Sequence, residues 1–100
     1  MTLLGFAIHP GEILDEEFLK PLNLSAGALA KRLGVPRTRI ERLVKEDTAL
    51  TADTALRLSA FFGNTPEFWL NLQRSYDLIQ ASKTVDVSHI QPLPVPPVAA

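Results

Sequence analysis

One hundred residues, 46% of them hydrophobic, suit one small soluble domain with a modest core, and no run approaches the roughly eighteen apolar residues of a membrane span. With no cysteine the chain can build neither a disulfide framework nor thiolate chemistry, which fits a reducing cytoplasm, and the apolar start from Met1 to Ile8 lacks the basic residue and cleavage site of a secretory signal. The net charge of −1 argues against a nucleic-acid partner until its distribution is read: Lys31, Arg32, Arg37, Arg39, Arg42 and Lys45 face only Glu41 between positions 31 and 45, whereas Glu12, Asp15, Glu16 and Glu17 form an acidic stretch without a base.

The punctuation predicts five short helices and no strands. Pro10-Gly11 opens the first, which runs to about Leu19 on an Ile13, Leu14 and Phe18 stripe and stops before Pro21. Ser25 is a favourable N-cap for the second, and Gly34 stands where a C-terminal glycine ends it. The third follows at once from Pro36, with Val35 held extended by the proline after it. Thr51 caps a fourth that stops at Phe62-Gly63. Thr65-Pro66-Glu67 starts a fifth, combining a cap, a proline in the first turn and an acid at the positive end of the helix dipole, and it reaches about Ala81. From residue 82 to 100 the chain turns proline-rich (Pro92, Pro94, Pro96, Pro97) and uncharged near its end, the composition of a disordered tail. The expected organisation is an N-terminal segment 1–8, a helical domain 9–81 and the tail.

Function is carried by the second and third helices. Ala30 is small where two helices must approach, and Gly34 supplies a left-handed turn four residues later. Ile40 and Leu43 bury the inner side of the third helix. This is the register of a helix-turn-helix, whose second helix enters the major groove. At 100° per residue Thr38, Glu41, Arg42 and Lys45 fall opposite Ile40, Leu43 and Val44, flanked by Arg37 and Arg39. Arginine reads guanine through two donors, so Arg37, Thr38 and Arg42 are assigned to base edges. Arg39 and Lys45 are assigned to the phosphate backbone, and Ser25, at a helix N-terminus, to a phosphate. Glu41 either accepts from a cytosine amino group or pairs with Arg37 or Lys45 one turn away.

Catalysis finds no support. His9 and His89 stand alone at opposite ends, without metal-ligand spacing, and read as surface or internally satisfied histidines. Asp15-Glu16-Glu17 occupy successive helical positions that point in different directions. There is no phosphate-binding glycine loop or nucleophile motif, and neither a metal nor another cofactor is expected.

The run Ala28–Val44 resembles the helix-turn-helix of Cro/repressor-like regulators. Three further stretches narrow the likeness: His9-Pro10-Gly11-Glu12-Ile13-Leu14, Thr51-Ala52-Asp53-Thr54-Ala55-Leu56-Arg57-Leu58, and Pro66-Glu67-Phe68-Trp69-Leu70-Asn71-Leu72-Gln73 followed by Tyr76-Asp77-Leu78. In that order, across about Ile8 to Ile79, they resemble the HigA family, antitoxins of bacterial toxin–antitoxin modules. The resemblance implies an all-α domain that forms a homodimer, binds operator DNA to repress its own operon and neutralises a RelE-like ribonuclease toxin. It also implies dimerisation through the fifth helix, with Phe68, Trp69, Leu72 and Tyr76 divided between core and interface. A dimer is expected on physical grounds too, because one recognition helix spans too few base pairs for selective binding. Two departures bear on DNA affinity. Lys45-Glu46-Asp47 stands where the family usually has a glycine and then basic residues, and Pro36 stands where it often has serine. The alternatives are a stand-alone helix-turn-helix regulator without a toxin, and a protein-interaction module that no longer binds DNA.

Overall fold

The computed structural model describes residues 7–94, which form five helices and, among the described residues, no strand. The first helix, α1, spans Pro10–Ile13. His9 caps it, its Nδ1 accepting from the Gly11 N–H at 2.9 Å. This histidine is buried and meets the Tyr76 ring edge-on at 4.8 Å, so of the two readings, surface or internally satisfied, it is the second. The helix then continues in a form the sequence did not announce. Leu14–Leu19 is π-helical, with the Lys20 N–H donating to the Asp15 carbonyl five residues back at 2.9 Å. Leu14 and Leu19, also five apart, both end up buried.

The second helix, α2 (Ala26–Leu33), starts on the Ser25 hydroxyl, which accepts from the Ala28 N–H at 3.0 Å, and ends on Gly34 at φ 73°. The Val35 N–H reaches back to the Ala30 carbonyl at 3.0 Å, closing the turn as the glycine requires. The third, α3 (Arg37–Val44), begins one residue later than predicted, because Pro36 is extended and serves as its N-cap. Thr51 caps α4 (Ala52–Phe62), which Gly63 ends at φ 79°, and Thr65 caps α5 (Pro66–Thr84). That last helix passes the predicted end at Ala81 by three residues. Beyond it Val85 to Pro94 carries no helix or strand and every residue is exposed. Pro96 and Pro97 of the predicted tail, like positions 1–6 of the N-terminal segment, lie outside the described residues.

The core joins α2 and α3 (Leu29, Ala30, Leu33, Ile40, Leu43) to Leu14, Leu58 and Trp69. The first helix crosses the end of α3 so closely that a Cβ on Gly11 would overlap the Leu43 carbonyl. The longest helix lies against α4 and the first helix. Its Gln73 is buried and ties the fold together, accepting from the Leu50 N–H at 2.7 Å and donating to Asp77 at 2.9 Å. No described helix is long and apolar enough to cross a membrane.

Candidate nucleic-acid interface

The recognition helix is amphipathic for a local reason. Its buried residues are Ile40 and Leu43, three apart, and Val44 is half-buried beside them. Helical rotation therefore turns Arg37, Thr38, Arg42 and Lys45 to solvent, and all four are exposed. Their assignment requires that exposure, and the structure brings them together on one helix. Arg37 lies across α2, its side-chain Cδ so near Gly27 that a Cβ there would come within 2.9 Å. Its Nε stands 3.3 Å from Glu41, so the ambiguous acid is an ion-pair partner of Arg37 one turn away. Ser25 is exposed, but its hydroxyl is engaged in capping α2.

Arg39 departs from the simple pattern. Its Nη1 donates to Asp53 Oδ1 at 2.7 Å, across from α3 to the first turn of α4. The same oxygen accepts from Arg57 Nε at 2.8 Å, and Arg57 Nη1 donates to the Leu33 carbonyl, also at 2.8 Å. Asp53 is therefore held from two sides, and the hydrogen bonds from Arg57 and then Arg39 keep its carboxyl below the usual carboxylate range. Between α3 and the start of α4 an open groove of about 460 Å³ is lined by Thr38, Arg39, Arg42, Thr48, Thr51 and Asp53, among others. Sequence reasoning passed over Asp53, Arg57 and Thr48. The i, i+4 spacing of Asp53 and Arg57 was the one local signal; the link to Arg39, fourteen positions away in sequence, is tertiary.

After α3 the chain turns at Glu46, at φ 65°, with the Asp47 N–H bonded to the Arg42 carbonyl at 2.9 Å. This is a left-handed helix end of the kind glycine usually serves. Glu46 and Asp47 are exposed at the same end of the helix as Lys45.

Residues 16–70 match the helix-turn-helix family. The chain is 57% identical to virulence-associated protein I of Dichelobacter nodosus over 77% of this chain and 71% of that one. It is 47% identical to antitoxin HigA-1 of Vibrio cholerae over 71% of this chain and 67% of that one. The chain belongs to the HigA antitoxin family. Among solved structures, the Pseudomonas aeruginosa antitoxin HigA with the higBA promoter superimposes with a TM-score of 0.81 at 38% identity, covering 88% of this chain and 99% of that one. The family consists of helix-turn-helix antitoxins and regulators and not of enzymes.

Within the HigA frame, the four residues expected on the dimerisation helix part company. Trp69 is fully buried, with its Nε1 donating to Asn64 at 2.9 Å and its ring 4.9 Å from that of Phe18. It is a core residue with no exposed surface, on the core side of the division expected for these four side chains. Leu72 and Tyr76 are half-buried, the first against the core and the second against His9. Phe68 is exposed, as are Leu70 and Leu78 on the same helix.

Proposed function

We propose that this chain is a DNA-binding antitoxin that represses its own operon as a homodimer and neutralises a RelE-like ribonuclease toxin. The observation that carries the DNA half is the exposure of Thr38, Arg42 and Lys45 along one side of α3, flanked by the exposed Arg37, while Ile40 and Leu43 anchor the other. In the working complex α3 lies in the major groove, Arg37, Thr38 and Arg42 meet base edges, and Arg39, Lys45 and Ser25 meet phosphates. A relative solved with its promoter supports the same use of this fold. Phe68, with the outer edges of Leu72 and Tyr76, belongs to the contact between protomers. The toxin half rests on family membership alone.

The test is a binding titration of the wild type and Arg42→Ala against a duplex from the chain's own promoter region. Arg42→Ala is expected to cost about 1–3 kcal/mol at the operator and to relax preference at one position. Absence of sequence-specific binding by the wild type overturns the DNA half. Co-purification with the neighbouring gene's product, and rescue of growth from that product, test the toxin half. Arg42→Ala leaves the rescue intact because the groove-facing side of α3 is assigned to DNA only. A neighbour that is no toxin would point to the stand-alone regulator.

A further inference from the structure

We infer that Asp53 is a positioning residue for operator recognition, holding Arg39 at the edge of the DNA-facing groove so that it sets register on a phosphate. This rests on the DNA-binding reading above and adds a residue to it. Asp53 does not stand loose. It sits in the first turn of α4, beside the Thr51 cap, and its Oδ1 is fixed by Arg57 at 2.8 Å. Arg57 is itself fixed to the Leu33 carbonyl at the end of α2. The carboxylate is thus a post braced against both α2 and α4, and Arg39 of α3 is hung on it at 2.7 Å.

That contact uses one guanidinium nitrogen, Nη1, while the side chain stays 41% exposed. A guanidinium carries five N–H donors in a rigid plane, so anchoring one of them fixes the direction of the others. Arg39 and Arg42 line the same groove with Thr38 and Thr48. A phosphate at that groove meets an arginine already oriented, whereas a free arginine would lose its rotamer freedom on binding. Asp53 also offsets the charge of Arg39, which lowers attraction to arbitrary DNA. Both effects raise the ratio of specific to non-specific binding. Surface ion pairs contribute little to folding, so orientation is the more telling consequence of this one.

The experiment measures affinity for the promoter duplex and for a random-sequence duplex of equal length, over a range of salt, in the full chain. Asp53→Ala is expected to weaken promoter binding by about tenfold and to strengthen random-duplex binding, with the salt slope on random DNA steeper by up to ~1. In an Arg39→Ala background the same substitution should weaken promoter binding no further, since Asp53 acts through Arg39. Asp53→Asn keeps an acceptor oxygen in place and is expected to fall between wild type and alanine; it carries the same cycle should the alanine variant melt early. The inference is overturned if Asp53→Ala tightens both duplexes alike, or if the promoter loss persists without Arg39. A wild type that binds its promoter selectively while all Asp53 variants keep its selectivity overturns this inference alone; a wild type with no selectivity overturns the DNA-binding reading instead.

Discussion

At the scale of single residues, two acids near the recognition helix behave differently. Glu46 adopts φ 65°, which a side chain with a Cβ occupies at a cost. Glu46→Gly relieves that cost, partly offset by the greater freedom glycine has when unfolded, and is expected to stabilise by about 1 kcal/mol, read as a higher urea midpoint. It also removes a negative charge at the end of α3, so affinity should rise for promoter and random duplexes together. Asp53, by contrast, is held ionised by Arg57 and Arg39, and its pKa lies below that of the unfolded chain. Its stabilising contribution is therefore complete above the unfolded value, about 4, and is lost as the pH falls through the lower folded one. Because the pairs are solvent-exposed, thermal melts of wild type and Asp53→Asn should differ only slightly at neutral pH and converge under strong acid. Parallel curves at every pH would show that the ion pairs do not contribute.

Among the elements, the recognition helix is set by its neighbours as much as by its own sequence. The first helix presses on it at Gly11, where a methyl group would overlap the Leu43 carbonyl, a backbone atom that cannot rotate away. Gly11→Ala is expected to destabilise by about 1–3 kcal/mol, measured by denaturant unfolding, and to weaken promoter binding beyond what the lost stability explains. The helices themselves were legible because their signals are local: Ser25, Thr51 and Thr65 cap as read, and Gly34 and Gly63 end α2 and α4. The exposed face of α3 followed from the spacing of Ile40 and Leu43. What was not legible depends on distant partners. The π-helical stretch turns on where Leu14 and Leu19 must pack, and the pairing of Arg39 with Asp53 needs the docking of α4. Periodicity placed Trp69 and Leu72 together as a stripe but could not show that an Asn64 partner lets the indole be fully buried.

As a whole molecule, the described chain is elongated, 54 × 26 × 22 Å, with a radius of gyration of 16.9 Å against about 13 Å for a compact domain of this length. The stretch from Val85 to Pro94 is exposed throughout and carries no helix or strand. None of those residues is buried, so a chain ending at Val85 should melt at the same temperature as the full one; a clear drop would reveal contacts made by the tail. The reading helix is gripped near both ends, by a backbone contact at Leu43 and by an ion pair at Arg39. Two such contacts oppose tilting of α3 against the rest of the domain, which leaves a misfit to an operator to be absorbed elsewhere. In the proposed homodimer on operator DNA, bending of the duplex or rotation between protomers would take up that misfit, and the stiffness of base pairs no side chain touches would then enter what is discriminated.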